Sequence, residues 1–241
     1  MIKHLKDIKK PSMIISVVSN IIIIVMVFAL YVACVPTNFT AAFKPIYRVD
    51  TPKNNIAIMV NVYQGSEYVE EMLEIMERYG VTCTFFIGGV WAAKNNELLT
   101  RMSKVAELGN HGYLHKDHAR LNEKQNREEI LLCEKLVEEI TGIKTNLFAP
   151  PSGSIGETML GVCEKLDYKV IMWSKDTIDW RDKDYQLILN RAIKDIKGGD
   201  MILMHPTEQT VKALPHILDR YKSKNLIPVT VSQLLYGEKA Y

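Results

Sequence analysis

The sequence lacks an excess of either charge. Its 241 residues carry 30 lysines and arginines against 28 aspartates and glutamates, a formal +2. The small surplus sits at the N-terminus, where Lys3, Lys6, Lys9 and Lys10 face only Asp7. From residue 11 onward, 26 basic residues meet 27 acidic ones. Nucleic-acid binding relies on a concentrated basic surface, so no nucleic-acid partner is expected. Cysteine is scarce as well. Cys34, Cys83, Cys133 and Cys163 show no zinc-like spacing, and four are too few to act as the framework of a chain this long. They read as buried thiols, although an oxidising exterior permits a Cys133–Cys163 bridge. There is no internal repeat and no low-complexity tract. What remains is a chain with 47% hydrophobic residues, enough for one sizeable core and one domain.

One apolar run is long. Residues 12–34 read SMIISVVSNIIIIVMVFALYVAC without a charge, and at about 1.5 Å per residue that length fits one bilayer crossing. It exceeds the apolar core of about 7–15 residues in a cleaved signal peptide, so a retained signal anchor is the expectation, with a secreted form as the alternative. Lysines precede the run and no such cluster follows it, which predicts a single-pass protein of the cell membrane with a cytoplasmic N-terminus. The organisation read from the sequence is a short basic tail over 1–11, a transmembrane segment over 12–34, a proline-containing stalk over 35–54 and a folded domain over 55–241.

Within that domain short apolar runs alternate with amphipathic stretches. Strands are predicted at 56–62, 82–87, 146–148, 169–173, 201–204 and 227–229. Helices are predicted at 67–79, 97–108, 123–140, 156–166, 185–196 and 209–221, with Gly142 just past the end of the third. The β-then-α order argues for a parallel sheet covered by helices. Eight even units are not visible, so the expected class is α/β, an irregular (β/α) barrel. Sites in such folds are built at the carboxyl ends of strands, and the chemically interesting residues fall there.

Five short motifs follow one another. Asn61-Val62-Tyr63 ends the first strand. Gly109-Asn110-His111-Gly112-Tyr113-Leu114-His115 places two imidazoles four residues apart. Taken alone the two are polar surface histidines or ligands of one ion. Phe148-Ala149-Pro150-Pro151-Ser152 is a rigid turn. Trp173-Ser174-Lys175-Asp176-Thr177-Ile178-Asp179-Trp180 offers carboxylates beside aromatic rings. Leu203-Met204-His205-Pro206-Thr207 ends a strand in a histidine.

The ordered set resembles the polysaccharide deacetylase family, over Tyr47 to Tyr236, and within it the membrane-anchored, sporulation-associated branch of Gram-positive bacteria. The resemblance implies a divalent metal, zinc or cobalt, on His111 and His115. It implies His205 as general acid oriented by Asp176, while Asp179 reads from its own position as a cap or brace of the next helix. The backbone of Ser152 would stabilise the oxyanion, Leu203 would line the acetyl pocket, and Trp180 would wall the sugar groove, a core position being its alternative. His118 matches no family ligand and reads as surface.

Two positions depart from the family together. Asn61 stands where the family has its base aspartate, and Ala149 where it has the arginine paired with that aspartate. Val62 stands where a metal-binding aspartate is usual. A neutral amide cannot take a proton from water near neutral pH. An arginine facing an amide would be an incompletely paired charge, so losing both leaves a coherent neutral site. The implied function is a polysaccharide N-deacetylase acting on cell-wall glycan such as peptidoglycan, weakened by the missing base. The alternatives are a catalytically disabled glycan-binding protein that keeps the groove, or a protein–protein role in envelope or spore assembly.

Overall fold

The computed structural model describes residues 13–34 and 43–237. The basic tail 1–11 and the stalk residues 35–42 lie outside the described residues. The chain divides into two compact units, Met1–Ala42 and Phe43–Tyr241. In the first, helix α1 runs from Met13 to Cys34. The expected membrane crossing, and with it the single-pass placement and the membrane as a partner, is corrected here: among the described residues no helix is long and apolar enough to cross a membrane. Ser16, Ser19 and Asn20 interrupt the apolar run of α1.

The second unit contains strands β1 (Asn55–Val62), β2 (Thr84–Ile87), β3 (Glu107–Asn110), β4 (Leu147–Phe148), β5 (Lys169–Val170), β6 (Lys175–Asp176), β7 (Met201–Met204) and β8 (Ile227–Val229). Its helices are α2 (Glu67–Tyr79), α3 (Gly89–Lys94), α4 (Asn96–Met102), α5 (Glu123–Thr141), α6 (Glu157–Lys165), α7 (Tyr185–Ile193), α8 (Glu208–Ser223) and α9 (Val231–Tyr236). All strand pairs are parallel, in the order β5-β4-β3-β2-β1-β7-β6, with β8 on the first residues of β1. The expected barrel is therefore corrected to an open, curled half-barrel. Its end strands β5 and β6 have only two residues each and lie at opposite edges of the sheet. Residues 46–48, expected in the stalk, pair with this unit: Ile46 N–H donates to Val170 O at 2.8 Å, and Arg48 bridges Asp200.

Strand alternation sorts the core. Ile56, Ile58, Val60 and Val62 of β1 face the helices, among Val69, Leu73, Leu214 and Ile217. Ala57 and Met59 point to the concave side, with Phe86, Leu147, Ala149, Ile171, Met201, Val231 and Leu234. Both faces of β1 are thus buried, as parallel sheets require. Asn61 continues the concave row at the carboxyl end of β1, where the apolar filling stops. Gly142 (φ 75°) closes α5, and Asn122 caps its start in a reciprocal box with Gln125. The predicted helix over 97–108 ends early at Met102, because Glu107–Asn110 pairs with β2 as strand β3. A side chain at Gly109 would meet the Phe86 ring at 2.6 Å, so this strand depends on its glycine. Cys83, Cys133 and Cys163 are free and buried, and the Cys133 thiol donates to Ile87 O at 3.1 Å. The Cys133–Cys163 bridge is absent.

Candidate functional site

The carboxyl ends of β1, β3, β4, β6 and β7 surround one cavity of about 320 Å³. It is lined by Asn61, Tyr63, His111, His115, Ser152, Gly153, Trp173, Asp176, Trp180, Leu203 and His205. Eight of the ten residues singled out in the sequence meet there. Ala149 and Val62 do not line it. Ala149 lies beneath in the concave core, fully buried. Val62 is turned away into the helix-facing core, also fully buried.

The two histidines are presented by a tight loop. Asn110 is buried and donates to Ile130 O (2.9 Å) while its Oδ1 accepts Gly112 N–H (2.9 Å). Gly112 (φ 74°) and His115 (φ 55°) take left-handed backbone, and Glu129 accepts Leu114 N–H at 2.7 Å. The chain curls enough to bring the two imidazole centroids within 5.1 Å, edge to face. His111 Nδ1 lies 2.7 Å from Ala149 O. A carbonyl only accepts, so Nδ1 carries the proton and Nε2 the lone pair. Burial, reinforced by the neighbouring His115, pulls the His111 pKa down to about 3, which keeps it neutral. Burial lowers His115 too.

Tyr63 stacks on His115, with centroids 3.8 Å apart and planes at 20°. It lines the cavity, and the sequence reading gave it no role. Its signal was only that an aromatic side chain follows Asn61 and Val62 at the end of a buried strand. His118 also differs from the reading. It is fully buried rather than on the surface, bonded through Nδ1 to Asn126 Oδ1 at 2.7 Å and packed edge-on against Phe148.

The donor set does not fit a metal centre. Among the described residues no group of three His, Cys, Asp or Glu side chains can hold an ion. A catalytic zinc ordinarily has three protein ligands, and this cavity offers two imidazoles, one of them under a tyrosine ring. Val62 has no donor atom and points elsewhere.

On the opposite side His205 follows β7. Its ring Nδ1 lies 2.7 Å from Asp179 Oδ1, and its backbone N–H donates to Asp179 Oδ2 at 2.6 Å. Thr210 Oγ1 donates to the same Oδ2 at 2.6 Å. The carboxylate that orients His205 is thus Asp179, with a fully buried side chain, and not Asp176. Asp176 instead accepts Ile178 N–H at 2.8 Å and faces the cavity. The bend that separates the two aspartates is set at Ile178, which has φ 54°. Trp180 is not core: it is 61% exposed at the rim, with the Arg181 guanidinium 5.9 Å over its ring. Ser152 (φ 55°) sits in the turn after Pro150-Pro151. Gly153 packs so closely on Trp173 that a Cβ there would approach the ring at 2.8 Å. A second hollow of about 170 Å³, shared by Tyr63, Gln64, Trp180 and Thr207, continues from the first past Trp180.

Residues 48–171 match the polysaccharide deacetylase family. The uncharacterised protein YlxY of Bacillus subtilis is 34% identical over 80% of this chain, and the chain spans about 60% of that relative's length. A peptidoglycan-N-acetylglucosamine deacetylase of Bacillus cereus is 27% identical over 84% of this chain and 77% of its own length. Among solved structures, a CE4 family pseudoenzyme from Bacillus anthracis superposes with a TM-score of 0.78. It is 31% identical, over 81% of this chain and 70% of that one. A mutant of that pseudoenzyme with restored enzymatic activity superposes equally well.

Proposed function

The chain belongs to the polysaccharide deacetylase family, and we propose that within it this protein is a catalytically disabled binder of cell-wall glycan, of the peptidoglycan type, rather than a working hydrolase. The observation that carries the reading is the amide of Asn61 at the carboxyl end of β1. It lines the cavity beside His111 and His115, and no carboxylate stands in its place. An amide has no useful basicity near neutral pH, and general-base catalysis ordinarily supplies about 10² to 10⁴ in rate. Ala149 below it leaves no guanidinium to pair with a base. The two-imidazole donor set supports the same reading.

What the cavity keeps is suited to a sugar. Trp180, Trp173 and Tyr63 supply flat apolar faces for the C–H side of a pyranose, Leu203 an apolar floor, and the Ser152 turn a backbone donor. His205, oriented by Asp179, is the proton donor of the family's reaction. In this reading it serves as a hydrogen-bonding group to the glycan. The peptidoglycan class is taken from the likeness to the Bacillus cereus deacetylase. The sporulation-associated assignment rests on the sequence motifs alone.

The test is a calorimetric titration of the full chain with soluble peptidoglycan fragments in EDTA. Binding is expected without metal. Trp180→Ala should weaken it by about tenfold, in line with about 1 kcal/mol or more for a lost aromatic contact. Absence of binding, or binding that appears only after zinc is added, contradicts the proposal.

A further inference from the structure

The cavity is unbalanced in charge. Asp176 is its only carboxylate, and neither lysine nor arginine lines it. Among the described residues no cation lies within ion-pair distance of Asp176, and Arg181 acts on it only at longer range. Arg181 is held bidentately on Asp182 at 2.9 and 3.1 Å. Arg191 is held on Asp182 and on Thr177 O, at 2.6 and 2.9 Å. Lys175 Nζ donates to Lys194 O at 2.9 Å. Of the Asp176 oxygens, Oδ1 accepts Ile178 N–H, and Oδ2 remains for a ligand.

Part of the polar lining presents acceptors as well. His111 has its N–H on Ala149 O, so Nε2 presents a lone pair. A carboxylate oxygen and a ring lone pair among aromatic walls suit a ligand with positive charge and N–H donors. A neutral acetamide would cover Asp176 without neutralising it, and covering an unpaired charge is costly. A protonated primary amine supplies three donors and the missing charge.

We infer that this cavity prefers an amino sugar whose nitrogen is free and protonated over its N-acetylated form, with Asp176 as the counter-ion. The inference rests on the glycan-binding reading above and refines it. The protein would then recognise glycan on which an N-deacetylation has already taken place, so that its ligand is the product of the reaction class that its fold resembles.

The test uses the full chain in EDTA at about pH 6, below the ordinary range of an amine. It is titrated in parallel with an N-acetylglucosamine oligomer and a glucosamine oligomer of the same length. The glucosamine oligomer should bind about tenfold more tightly at low salt, and the margin should shrink as salt screens the pair. Asp176→Asn should abolish the margin. Equal or tighter binding of the acetylated oligomer by the wild type would overturn the inference and leave the glycan-binding reading intact, as would a preference that survives in Asp176→Asn. Binding of neither oligomer would overturn both.

Discussion

The exchange of roles between the two aspartates makes a quantitative prediction. Asp179 has a fully buried side chain that accepts three hydrogen bonds, from His205 N–H, from the His205 ring and from Thr210 Oγ1, at 2.6, 2.7 and 2.6 Å. Asp179→Ala strands all three donors. A buried donor left unpaired costs about 1–3 kcal/mol, and breaking one side of a buried pair costs about 3–5 kcal/mol. The His205 side chain is 15% exposed, so water recovers part of the loss, and about 3–4 kcal/mol is expected. With a urea slope of about 2 kcal/mol per M, the unfolding midpoint should fall by about 1.5–2 M. Asp176→Ala loses a single bond, from Ile178 N–H, at a partly exposed position. It should cost about 1 kcal/mol or less and move the midpoint by about 0.5 M or less. Parallel urea titrations followed by tryptophan fluorescence and by circular dichroism measure both. Equal midpoints for the two variants, or a larger loss for Asp176→Ala, would refute the assignment of Asp179 as the partner of His205.

Two further expectations concern the opposite wall. His111 is held neutral in the fold, with a pKa near 3 against 6.5 for the free side chain, so its contribution to stability is fully present above about pH 6.5 and lost progressively as pH falls toward 3. Its ring resonances should show no titration between pH 5 and 8, and a midpoint near 6.5 in the native state would contradict the buried, Ala149-bonded geometry. Ala149→Arg alone should destabilise by about 3 kcal/mol, through overpacking and an unpaired charge. Adding Asn61→Asp should recover about 1–3 kcal/mol in a double-mutant cycle read by thermal unfolding, whereas strict additivity would show that the two positions are not coupled.

Much of the fold is written in local pattern. The β-then-α alternation, the stop at Gly142 and the strand ends at Val62 and Met204 are all set by hydrophobic period and by glycine. The barrel expectation failed because closure depends on edge strands. With two residues each, β4, β5 and β6 carry too little pattern to reveal where the ladder ends. The first two residues of strand β3 were read as the end of a helix because Glu107–Asn110 is only four residues long and follows a helix without a proline or glycine before it. The long apolar run was read by its length and lack of charge, which do not register what Ser16, Ser19 and Asn20 take from it.

The site was legible as a set of residues and less so as a set of contacts. Which aspartate meets His205 depends on a left-handed residue at Ile178, a conformation for which a β-branched side chain gives no warning. Strand parity places Val62 on the helix side of β1, so the sequence contained that signal once β1 was known to run through Val62. His118 was assigned to the surface because it matches no family ligand, yet Asn126 on the next helix and Phe148 on β4 enclose it.

The most direct test of the account is acetate release. Full-length protein supplied with zinc or cobalt is incubated with peptidoglycan and with N-acetylglucosamine oligomers, and free acetate is measured against a His205→Ala control. A disabled glycan-binding site predicts no acetate above that control. Release that is metal-dependent and vanishes with His205→Ala would contradict it and identify a working deacetylase.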